Sequence, residues 1–93
     1  ERADVRYAMA GGADFRGANL QETDFRGANL IGASFAHADV RGANFEEADL
    51  VGADFSKAIL DVETTNFLHA TWRRARFDER TFQQLLRRYQ TPD

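Results

Sequence analysis

The chain of 93 residues has no cysteine, one proline, one methionine and two histidines. Without cysteine there are no disulfides, no thiolate nucleophile and no sulfur-ligated metal. The same absence fits a cytoplasmic protein, which is the expected location. The histidines, His37 and His69, stand in no His-x-x-x-His, Glu-x-x-His or nucleophile-elbow setting, so both are expected as surface residues. No catalytic residue, cofactor or metal ligand is assigned, and the chain is read as non-enzymatic. No apolar run approaches the length needed to span a bilayer, so no membrane role is expected. The net charge is only −3. Such a balance argues against direct nucleic-acid binding.

What is present is a period of five. From Ala3 to Leu60 the chain reads as consecutive pentads with first positions at 3, 8, 13 and onward to 58. Eleven of these twelve first positions are Ala, and the other is Thr23. The second position is Asp or Asn in nine pentads, and the third is always apolar. Gly12, Gly17, Gly27, Gly32, Gly42 and Gly52 hold fifth positions. Neither a helix nor a simple strand repeats every five residues. A chain that points every fifth residue into one core must turn between them, and glycine suits such turns. The third residue then faces inward, and the first faces inward where only a small group fits. The result is a narrow solenoid whose neighbouring layers share backbone hydrogen bonds.

This pattern of Ala, then Asp or Asn, then Phe or Leu, then two variable residues resembles the pentapeptide-repeat family. The match is nearly continuous over residues 3–60, and a shifted one follows from Thr65 to Glu79. The resemblance implies an all-β fold, a right-handed quadrilateral β-helix of about four coils with four pentads per coil. With four sides, Phe15, Phe35 and Phe55 stack in one column and Phe25 and Phe45 in the opposite one. Leu20, Leu30, Val40, Leu50 and Leu60 fill the other two sides.

Two extra residues follow Leu60 before Thr65-Asn66-Phe67 restores the motif, which predicts a bulged corner. Ile59 and Val62, apolar where the pattern expects exposure, are expected to meet the C-terminal segment. There the period changes. Phe82, Leu85, Leu86 and Tyr89 form one helical stripe, and Thr81 with Gln84 reads as a capping box. A helix over residues 82–90 is therefore expected to close the open end of the solenoid or to form a homodimer contact with a second copy. The division is 1–79 for the β-helix and 80–93 for the capping helix and tail.

Two function classes remain. One is a scaffold or protein-interaction module, with a protein partner that the sequence does not identify. Its candidate face carries Met9, Ile31 and Val51 on one side, among Gly11, Gly12, Gly32 and Gly52. The other is what the resemblance to quinolone-resistance members implies, a DNA-mimicking inhibitor of a type II topoisomerase such as gyrase. Arg6, Arg16, Arg26 and Arg41 interrupt the acidic surface that such a mimic needs.

Overall fold

The structure, a computed structural model, describes residues 3–90. Parallel bridges join each second-position residue to the one twenty further on: Asp4 to Asp24 to Asn44, Met9 to Asn29 to Asp49, Asp14 to Ser34 to Asp54, and Asn19 to Asp39 to Ile59. The chain thus returns to the same side every four pentads. Side 1 carries residues 3–7, 23–27 and 43–47. Side 2 carries 8–12, 28–32 and 48–52. Side 3 carries 13–17, 33–37 and 53–57, and side 4 carries 18–22, 38–42 and 58–62. The bridges are isolated rather than gathered into strands, because a turn every five residues leaves room for one bridging residue per side.

Each turn has the same construction. The N–H of the next first-position Ala donates to the third-position carbonyl, as in Ala18 to Phe15 at 3.1 Å and Ala28 to Phe25 at 3.0 Å. The fifth residue lies between, at positive φ, whether it is glycine (Gly32, 71°) or not (Glu47, 62°; His37, 62°). A four-residue turn with positive φ at its third residue alone is type II. The second-position side chain locks the turn from outside. Asp14 Oδ1 accepts the Arg16 N–H at 3.0 Å, and Asn29 Oδ1 accepts that of Ile31 at 3.1 Å. This is the local Asx bond that makes Asp and Asn turn residues.

The inward columns are the expected ones. Phe15, Phe35, Phe55 and Phe77 stack on side 3 with ring centroids 4.7–5.0 Å apart. Phe25, Phe45 and Phe67 stack on side 1 at 4.8 and 5.2 Å. The two columns meet edge to face across the interior, as between Phe35 and Phe45 at 5.5 Å and 90°. From Phe25 to Phe55 every first and third residue is buried, since the Ala methyl is small enough to let facing sides approach. Val5, Ala10, Phe15 and Leu20 are only half-buried.

The two-residue insertion is absorbed at a corner. Bridge spacing lengthens from twenty to twenty-two, with Asn44 pairing Asn66 and Asp54 pairing Arg76. Thr65 enters the interior in an alanine position and donates its hydroxyl to the Val40 carbonyl at 2.9 Å. Past this corner side-chain oxygens replace backbone carbonyls. The Gly42 N–H donates to Thr64 Oγ1 at 3.2 Å, that of Leu50 to Thr71 Oγ1 at 2.6 Å, and that of Lys57 to Asp78 Oδ2 at 2.9 Å. A short 3-10 turn, Trp72–Arg74, follows on side 2.

Helix α1 spans Glu79–Arg88. It begins three residues earlier than the sequence reading, and its N-cap is Asp78, not Thr81. Asp78 ends the last circuit in extended conformation and leads directly into the helix, so Thr81 falls in the first turn. Its carboxylate is spent on Lys57, and no side-chain cap bond forms. Val62 packs against the core and lines a groove with Gln84, Arg87 and Arg88. Ile59 does not meet this segment as expected: it is 50% exposed on side 4. It stands at a second position, which points outward.

Candidate functional site

Three of the four sides carry paired charge. Arg6, Arg16, Arg26 and Arg41 each place Nε and Nη2 on the two oxygens of the Asp two residues earlier, Asp4, Asp14, Asp24 and Asp39, at 2.6–2.9 Å. The geometry follows from the turn, because second and fourth residues both project outward around one bend. Hydrogen bonds from the Arg side chain and backbone N–H hold Asp4 and Asp14 down at about 2. Those from Arg26 and Arg41 likewise lower Asp24 and Asp39. Four of the five second-position aspartates on sides 1, 3 and 4 are therefore neutralised by their own neighbours, and the fifth, Asp54, accepts from Ser56 instead.

Side 2 differs. From Ala8 to Gly52 its one ionisable residue is Asp49. Gly12, Gly32 and Gly52 stand in one column at φ of 71–74°. A Cβ at Gly12 or Gly32 would meet nothing within 4 Å, so this corner is open and smooth. Met9 is 90% exposed and Ile31 44%. Val51, in the same column as Ile31, is half-buried rather than fully in water. Periodicity overlooks Tyr7, which is 73% exposed at the corner between sides 1 and 2. A Cβ on Gly27 would stand 2.5 Å from its ring, so the phenol lies across that glycine. The legible signal was an aromatic residue twenty positions before a glycine of the same column. Met9 and Ile31, with Gly12, Gly32 and Gly52 along one corner, leave side 2 weakly charged, and Tyr7 lies at its other corner.

The four residues of the helical stripe face the last circuit. Leu85 is fully buried, and Phe82, Leu86 and Tyr89 are half-buried against the core. Trp72 meets Phe82 at 5.9 Å and Tyr89 at 5.8 Å between ring centroids. The Tyr89 hydroxyl accepts the Phe67 N–H at 2.8 Å. It thereby fills the place that a carbonyl of a following circuit would take. Helix α1 thus covers the end of its own solenoid and satisfies one of its edge donors.

His37 and His69 are both exposed at positive-φ corners. Among the described residues no group of three or more His, Asp or Glu is placed to hold a metal ion. No helix among them is long and apolar enough to cross a membrane.

The model of the family described as pentapeptide repeats matches in eight copies over residues 1–35, 11–46 and 28–61. No curated protein matches the chain. Among solved structures, a pentapeptide repeat protein from the thylakoid lumen of Arabidopsis thaliana is similar, with 43% identity over 73% of this chain and 46% of that one, at a TM-score of 0.68. The pentapeptide repeat protein Rfr23 of the cyanobacterium Cyanothece 51142 is 30% identical over 82% of this chain and 50% of that one, at a TM-score of 0.75. The chain spans about half the length of these two structures. Repeats, bridge spacing and structural likeness agree, and the chain belongs to the pentapeptide-repeat family, whose members fold as right-handed quadrilateral β-helices.

Proposed function

We propose that this chain is a non-enzymatic scaffold or protein-interaction module, a right-handed square rod of about four coils that offers side 2 to a protein partner. The observation that supports the reading is the contrast between sides. Sides 1, 3 and 4 carry self-neutralised Asp–Arg pairs, while side 2 shows Met9 and Ile31 beside a smooth glycine corner, with Tyr7 at its border with side 1. Contiguous exposed apolar surface is what contact sites are made of. Helix α1 serves this module as an end cap. A homodimer through α1 is the weaker arrangement, because Leu85 is already fully buried against its own chain.

A DNA mimic of the gyrase-inhibitor type fits less well. It needs an uninterrupted negative surface, and the four bidentate pairs between Asp4 and Arg41 break that charge on three sides. Direct nucleic-acid or membrane binding has no support in such a surface either. The cytoplasm is the proposed compartment, and fractionation of the native host tests it.

The experiment is a capture from the native host with the intact protein and with the Met9→Lys/Ile31→Lys variant. Both residues point outward, so the variant keeps the fold by circular dichroism and loses the partner. A partner retained in full by the folded variant overturns the assignment of side 2. Inhibition of gyrase supercoiling at micromolar concentration, weakened by added salt, would favour the mimic instead.

A further inference from the structure

A cleft of about 270 Å³ lies where the last circuit meets the C-terminal end of α1, on side 2 one circuit past Val51 and two past Ile31. Leu68, Ala70, Trp72 and Tyr89 form its apolar walls, with Arg73, Arg88, His69 and Gln90 at its rim. None of these lining residues is a carboxylate. This sets these arginines apart from those of the repeats. Arg6, Arg16, Arg26 and Arg41 are each closed on an aspartate two residues away. Arg73 has no carboxylate partner among the described residues. Its guanidinium lies 4.5 Å over the Trp72 ring, and one of its nitrogens donates to the Tyr89 carbonyl at 3.4 Å. It is thus held in place by stacking while most of its five N–H donors stay free. Arg88 reaches Glu63 at only 3.8 Å, with its side chain 46% exposed. Leu68 is 41% exposed at a fourth position, where the repeats mostly carry polar residues.

We propose that this cleft binds a carboxylate joined to one apolar group, either a small free acid or the last residue of a peptide. The carboxylate pairs with Arg73 and Arg88, and the apolar group rests on Leu68 and Tyr89, above the buried Trp72 ring. The volume is at the small end for ligand pockets and suits one ring or branched side chain. Arg73 is preorganised, so little ordering cost falls on the complex.

Trp72 is the single tryptophan of the chain and reports on the cleft directly. Its emission is titrated with phenylacetate, phenylacetamide, and a short peptide ending in phenylalanine with a free or an amidated terminus. A saturable response to at least one of the two acids is expected, and at least tenfold weaker binding of its amide. Response to phenylacetate identifies a free acid as sufficient, and response to the peptide alone identifies a chain terminus. The Arg88→Gln variant, altered at an exposed residue, keeps its helical circular dichroism and weakens binding of the acid at least tenfold. No saturable response to either acid overturns the proposal. So does equal binding of acid and amide, or unchanged binding in Arg88→Gln.

Discussion

The fifth position of the pentad offers the sharpest test of why this chain folds as it does. All fifth residues from Tyr7 to Lys57 adopt positive φ, from 58° to 74°, but five of these eleven are not glycine: Tyr7, Glu22, His37, Glu47 and Lys57. A side chain in that conformation costs about 1–2 kcal/mol. Glycine avoids this cost and loses about 0.5–1 kcal/mol of backbone entropy instead. The net gain on replacing a non-glycine by glycine is therefore about 0–1.5 kcal/mol per site, centred near 0.75. Glu47 and His37 are suitable, since both are exposed and ten residues apart. The Glu47→Gly/His37→Gly variant should gain about 1–2 kcal/mol if the two sites are independent. The reverse change is Gly32→Ala. A Cβ there meets nothing within 4 Å, so the loss of about 1 kcal/mol is conformational alone. Urea unfolding followed by circular dichroism measures all three variants, and the slope of the transition should stay constant. If the double variant is less stable than the wild type, or if Gly32→Ala is neutral, turn conformation is not what selects glycine here.

Phe35 is fully buried, stacked on Phe15 and Phe55 and edge-on to Phe25 and Phe45; Phe35→Ala should cost about 3–5 kcal/mol, and a loss below 1 kcal/mol in urea unfolding would contradict the columns. Tyr89→Phe leaves the Phe67 N–H without its acceptor and should cost about 1–3 kcal/mol, with faster amide exchange at Phe67 as the local sign. Asp14 should titrate near 2, held below its ordinary 3.8 by the side-chain and backbone hydrogen bonds from Arg16. Its folded-state value is depressed, so its contribution is complete above pH 3.8 and fades as pH falls toward 2. A carbon NMR titration of Arg16→Gln should show the value moving up toward 3.8, and an unmoved value would remove Arg16 as the cause.

The sequence by itself determined the repeat, its inward residues and the place where it breaks. A five-residue period is strictly local information: Ala, Asp or Asn, Phe or Leu, and Gly each answer to their own turn. The two-residue insertion after Leu60 and the helical stripe from Phe82 to Tyr89 were legible for the same reason. Contacts between residues twenty or more apart were not. Tyr7 lies across Gly27 only because the chain returns to the same side one circuit later. The N-cap moved from Thr81 to Asp78 because Asp78 first completes the ladder by accepting the Lys57 N–H. Ile59 stayed exposed because it holds an outward second position in the regular ladder, while Val62, at the corner of the insertion, packs against the core. The cleft beside Trp72 depends on where α1 lies on the last circuit, and that docking is set by Leu85, Tyr89 and Arg73 acting together. Local turn chemistry is written residue by residue, whereas the surface that meets other molecules is assembled from neighbouring circuits.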